Sequence, residues 1–219
     1  VNRLKVLVNQ TNSDRVRYFY CLMLSEKYAL NHDAVKTDKL AKELLALLKA
    51  PSLNMDLKKG IAYSDIADMM LSCCKPKEAL SYAAKAKNFF EEASYNYFIV
   101  EDIEIRALLL TEERKKALTI IDTLMQNETM HASPLVQSKY YYYKACILFE
   151  KGRYTESIQF LGGLNELKKD KYCWNVVIRI LLILNFIEVE NYDVADNEID
   201  SFRKYLNRIA KRGVVAQRY

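Results

Sequence analysis

The sequence predicts an all-α chain, a stack of about five antiparallel helix hairpins, on three observations. Small residues recur at long, even intervals: Ala41, Ala79, Ala117 and Ala195 are separated by 38, 38 and 78 residues, and Ser157 divides the last gap into 40 and 38. A fixed period of this size marks stacked supersecondary units, each of which buries its apolar face against the next. Apolar residues make up 51% of the chain, ample for a core, whereas five Gly and three Pro are too few for the many tight turns of an all-β fold. Within each period apolar side chains fall at i, i+3, i+4 and i+7 on two segments parted by a short polar turn, the pattern of a helical hairpin.

The units run roughly over 15–50, 55–92, 94–127, 133–168 and 170–210, read as one helical-repeat domain with a basic tail over 203–219. The first pairs Ala29 with Ala41. In the second, Tyr63, Ile66, Ala67 and Met70 line one helix, and Pro76 opens another carrying Ala79, Leu80, Ala83 and Ala86; proline suits a first helical turn, where its missing N–H would have no intrahelical partner. The third sets Ile105 and Leu108 against Ala117, Ile121 and Leu124. The fourth begins on the cap pair Ser133 and Pro134, runs through Tyr141, Ala145 and Leu148, stops at Gly152 and resumes with Tyr154, Ser157, Leu161 and Leu164. Gly162 and Gly163 should end its second helix early or kink it. The fifth joins Ile183 to Tyr192, Ala195, Ile199 and Phe202.

Two runs, Ala145, Leu148, Gly152, Tyr154, Ser157, Leu161 and Ala67, Met70, Ala79, Ala83, Ala86, resemble the tetratricopeptide repeat: a small residue on the first helix, Gly and an aromatic at the turn, a small residue on the second. The resemblance covers about 190 residues and departs from the family in its longer period, in Ser157 where Ala is usual, and in the terminal Pro that most units lack. It implies a right-handed superhelical solenoid whose inner surface takes an extended partner peptide. In that register Tyr141 packs inward, Tyr142 and Tyr143 face the inner surface, and Asp65, Asp68, Asp102, Arg106 and Lys139 join them there. The plainer reading makes the tyrosines amphipathic core between neighbouring helices, and the acids a hydrated helix face.

Net charge is +5, and the excess sits at one end. Arg203, Lys204, Arg208, Lys211, Arg212 and Arg218 occur after residue 202 without an acid, which leaves the rest of the chain one acid in excess. Cys21, Cys73, Cys74, Cys146 and Cys173, odd in number and set among apolar residues, read as reduced core thiols. Val176 to Ile187 is too short, and too interrupted by Arg179 and Asn185, to span a bilayer. No signal pattern is visible, and cytoplasmic is the expected location; the missing initiator Met leaves room for a trimmed leader or a longer parent chain.

Motifs of catalysis are not found. His32 and His131 belong to no metal-ligand pair, and Glu128 with His131 is one half of a di-iron spacing that needs a second copy and two more carboxylates. There is no phosphate loop, dinucleotide fingerprint or nucleophile elbow. The expectation is therefore a protein without enzyme activity, cofactor or metal: a scaffold holding a protein or peptide partner in its groove through Asp65, Asp68, Asp102, Arg106, Lys139, Tyr142 and Tyr143. The last unit, apolar on nearly all sides, would be covered by its own second helix and tail, by a second copy or by a further domain. Alternatives are nucleic-acid or anionic-surface binding through the basic C-terminal helix, which a solvated helix face explains more simply, and a regulatory arm of a larger protein.

Overall fold

A computed structural model describes residues 2–92, 94–126, 134–164 and 174–211. These residues form eleven helices and no strand: α1 (Asn2–Gln10), α2 (Asp14–Leu30), α3 (Ala34–Leu47), α4 (Asp56–Ser72), α5 (Pro76–Lys87), α6 (Tyr95–Leu110), α7 (Arg114–Met125), α8 (Pro134–Glu150), α9 (Tyr154–Gly162), α10 (Trp174–Glu188) and α11 (Tyr192–Lys211). Local chemistry sets several ends. Asp33 accepts the Lys36 N–H at the start of α3, and Ser94 accepts that of Tyr97 at the start of α6. Pro76 stands in the first turn of α5, and α9 stops at Gly162 with Gly163 as its cap, as the paired glycines predict.

Five turns share one backbone solution. His32, Cys74, Glu112, Gly152 and Glu190 all take positive φ, between 56° and 69°. In each, the next residue's N–H reaches back five positions to a helical carbonyl at 2.9 Å: Asp33 to Tyr28, Lys75 to Met70, Glu113 to Leu108, Arg153 to Leu148 and Asn191 to Phe186. The positive-φ residue itself bonds three positions back, so all five are Schellman stops. Five residues after each turn lie Thr37, Ala79, Ala117, Ser157 and Ala195, and twelve before these lie Ser25, Ala67, Ile105, Ala145 and Ile183.

That equivalence corrects the first unit. Its matching pair is Ser25 and Thr37, four residues before Ala29 and Ala41. The first turn-to-turn interval is 42 residues where the next is 38, because α3 and α4 (14 and 17 residues) outrun α5 and α6 (12 and 16) and the link between them is one residue longer. Ser25 and Thr37 fill small, fully buried slots because each hydroxyl is satisfied by a backbone carbonyl, that of Leu22 and of Asp33 at 2.8 Å.

The chain divides into two compact units, Val1–Ala117 and Leu118–Tyr219. In the first, α1 rests on α2, α2 pairs with α3 and α4 with α5; α3 and α5 pack on the following α4 and α6, and the first helices touch in series, α2 on α4 and α4 on α6. One core runs through Tyr18, Cys21, Leu44, Ile66, Met70, Ala83, Val100 and Ile103, with a smaller cluster of Ala29, Met69 and Cys73 beside it. The second unit repeats the scheme: α8 pairs with α9 and α10 with α11, α9 packs on α10, and α8 meets α10. Its core gathers Ala145, Leu161, Ile178 and Leu181, walled by Tyr142, Phe149, Phe160 and Trp174. Neighbour-to-neighbour packing of this kind is compatible with a helical repeat.

Cys21 and Cys73 are buried free thiols and Cys146 is half-buried, but Cys74 is exposed, because the positive-φ turn that it occupies lies outside the helix. Ile180, Leu184 and Ile187 of α10 stay partly exposed along one stripe. No helix among the described residues is long and apolar enough to cross a membrane. Glu128, His131, Ser133, Cys173, Arg212 and Arg218 lie outside the described residues.

Candidate functional site

The turns bring the first helices of the first unit into register, and with them a charged row. Glu26, Asp68 and Arg106 each follow the aligned positions Ser25, Ala67 and Ile105 by one residue, on α2, α4 and α6. Arg106 donates through Nη2 to Asp68 Oδ1 at 2.7 Å, 38 residues away, so equal steps of α4 and α6 meet side by side. The same guanidinium lies 3.1 Å by Nε from the carboxylate of Asp102, one turn earlier on α6.

Asp65 stands one turn before Asp68. Its carboxyl is pushed up to about 6, chiefly by burial and then by the nearby charges of Glu26 and Asp68. The Tyr18 phenol, within the field of Asp65, is pushed up to about 12, again mostly by burial. Arg106 is engaged by Asp68 and Asp102, and among the described residues no cation pairs with Asp65 or Glu26. The middle of the face is therefore a half-buried, electronegative point beside an internally neutralised arginine. Among the described residues no three His, Cys, Asp or Glu side chains are arranged to hold a metal ion.

Seven residues before the charged row, two helical turns and hence on the same face, lie Phe19, Ile61 and Ile99. They are 55%, 37% and 40% exposed. Sequence reasoning missed these three and Glu26, since a first hairpin anchored on Ala41 carries Phe19 and Glu26 to other steps. The signal that finds them is the positive-φ turn.

Asp65, Asp68, Asp102 and Arg106 are thus brought together on α4 and α6, although Asp102 is buried rather than open. Lys139, Tyr142 and Tyr143 sit on α8 in the second unit. Tyr143, expected at the inner surface, is 7% exposed. Its ring lies 5.9 Å from that of Trp174 and 6.3 Å from that of Tyr140, so aromatic packing against α10 takes it into the interior. Tyr142 is half-buried, 5.7 Å from Trp174; burial raises its phenol out of the usual range, and the neighbouring Cys146 thiol is pushed up to about 11, by burial first. Tyr141, expected to pack inward, is half-buried with its ring edge-to-face on Phe160 at 5.6 Å. Lys144, ion-paired to Asp122 at 2.7 Å, also lies over Phe160.

No family model matches this chain, and no curated protein or solved structure matches it.

Proposed function

We propose that this protein is a non-enzymatic interaction scaffold, a right-handed solenoid of about five tetratricopeptide-like hairpins, which holds a cationic segment of a partner protein on the face formed by α2, α4 and α6. The observation that carries the reading is Asp65. A half-buried carboxylate, flanked by Glu26 and Asp68 and without a cation of its own among the described residues, is unfavourable in the free protein. A lysine or arginine from outside would relieve that cost, and an electronegative face also speeds encounter with cations. The exposed apolar row beside it supplies surface worth burying. Series packing of hairpins through identical turns supports the solenoid, and the lack of any catalytic motif in the sequence supports a binding role.

The experiment is titration of a fluorescent Lys-rich peptide followed by anisotropy at low ionic strength. Binding should weaken about ten-fold or more in Asp65→Lys and in Asp68→Lys and fall steeply with salt. Binding that both variants leave unchanged removes this face from the protein's function.

A further inference from the structure

We propose that the segment received by this face is an amphipathic α-helix, with apolar side chains seven residues apart and Lys or Arg along one flank. The inference rests on the scaffold reading and narrows it to one kind of partner.

The Arg106–Asp68 contact shows that equal steps of α4 and α6 adjoin, and α2, which packs on α4, is counted from the same positive-φ turn. Phe19, Ile61 and Ile99 occupy one such step and Glu26, Asp68 and Arg106 another, so an apolar row and a charged row run parallel across three helices. The rows are seven residues apart along each helix, about 10 Å at a rise of about 1.5 Å per residue. Packed helices lie about 8–10 Å apart, so successive members of the apolar row are spaced by nearly the distance between residues i and i+7 of a guest helix. A helix laid across α2, α4 and α6 would set three such side chains over Phe19, Ile61 and Ile99 in turn.

An extended guest brings unpaired N–H and C=O groups that its host must satisfy. Between the two rows, residues 20–25, 62–67 and 100–105 contain no Asn or Gln, the carboxylates there can accept but not donate, and the Ser25 and Ser64 hydroxyls are buried, which leaves only the half-buried Tyr20 and Tyr63 as side-chain donors. A guest helix satisfies its own backbone and needs from the face only apolar contact and negative charge.

The distribution of charge along the row gives the guest a direction. Glu26, Asp65 and Asp68 lie on α2 and α4, whereas α6 contributes Arg106 to the row. The basic flank therefore belongs at the end over α2 and α4, and the end over α6 carries no cation.

Three synthetic peptides test this on the full chain: one with Leu every seventh residue and Lys on the adjacent flank of its first half, an isomer of it with Leu every third residue, and a variant of the first with one central residue replaced by Pro. The seven-residue peptide should bind at least about ten-fold more tightly than the others, by anisotropy, and gain helical circular dichroism on binding. Phe19→Glu and Ile61→Glu, checked for unchanged helicity of the protein, should each lose that preference. Tightest binding by the three-residue isomer, or equal binding by the Pro peptide, overturns the helical guest while leaving a cationic ligand in place. Equal binding of all three that neither Ile61→Glu nor Asp65→Lys alters overturns both readings.

Discussion

Arg106 and Asp68 are joined at 2.7 Å although 38 residues separate them, so one turn-to-turn interval of chain returns to the same step of the neighbouring hairpin. The pair does two things at once. It ties α4 to α6, and with the 3.1 Å contact to Asp102 it holds a guanidinium over a carboxylate withdrawn from water. Replacing Arg106 by Gln should lower stability by about 1–2 kcal/mol, since the partly exposed Asp68 contact contributes little and the buried Asp102 contact most. The same change leaves the face more negative and should tighten binding of a Lys-rich peptide. Urea unfolding and peptide titration on one preparation check both effects; an unchanged midpoint with weaker binding would contradict this account.

The turns make a separate prediction. Glu112 and Glu190 hold φ near +60°, where a side chain on Cβ is strained, whereas Gly152 takes the same conformation freely. Glu112→Gly should stabilise by about 0.5–1 kcal/mol, net of the entropy that glycine adds to the unfolded chain. Gly152→Ala should cost about 1 kcal/mol, all of it conformational, because a Cβ there would meet nothing within 4 Å. Thermal midpoints moving in opposite directions for the two variants are the expected result.

Much of this architecture is legible in the residues, for reasons that can be located. Pro76, Gly152 and Gly163 stand where helices start or stop, and Ala67, Ala79, Ala117 and Ala195, the small residues of the period, are all buried. The first hairpin is misread because its small slots hold Ser25 and Thr37, polar residues that count as small only once their hydroxyls are bonded to backbone, as Ser157 is to the Ala145 carbonyl at 3.0 Å. Ala41, the nearest alanine in period, is buried too, but one turn later. Tyr143 is misread for a different reason. Its burial depends on Trp174, remote in sequence, and a helical period cannot tell which of two apolar faces a distant ring will cover. The period places Asp65, Asp68 and Arg106 close together on α4 and α6, where Arg106 meets Asp68, whereas the first register sets Phe19 and Glu26 at other steps.

Gly60 tests the packing of α4 against the chain that follows α5. A Cβ at this position would lie 2.7 Å from the Phe90 ring and 2.8 Å from Phe89 Cβ, closer than van der Waals contact permits. Gly60→Ala should therefore destabilise by about 1–3 kcal/mol even though alanine is the better helix former. Adding Phe90→Leu should recover only part of the loss, because the Phe89 obstacle remains. Full recovery in the double variant would show that the Phe89 contact gives way at no cost.

Asp65 gives the pH dependence. Its folded-state value of about 6, against an ordinary 3.8, arises from burial first and from Glu26 and Asp68 next. Between those values the folded chain holds more protons at this site than the unfolded chain does, so the site's contribution to stability is full below pH ~4 and is lost as pH rises past ~6. Asp65→Asn does not titrate there, and its stability relative to the parent should rise by about 1–3 kcal/mol between pH 4 and pH 7. Binding responds in the opposite direction: a cation on the face favours the ionised carboxylate, so a Lys-rich peptide should bind the parent more tightly at pH 7 than at pH 5, with Asp65→Asn much less sensitive. Urea midpoints and peptide affinities across this range test both arms. A stability difference that stays flat with pH would mean that Asp65 is better hydrated than its burial indicates, and the unpaired carboxylate would then give no reason for a cationic partner to settle on this face.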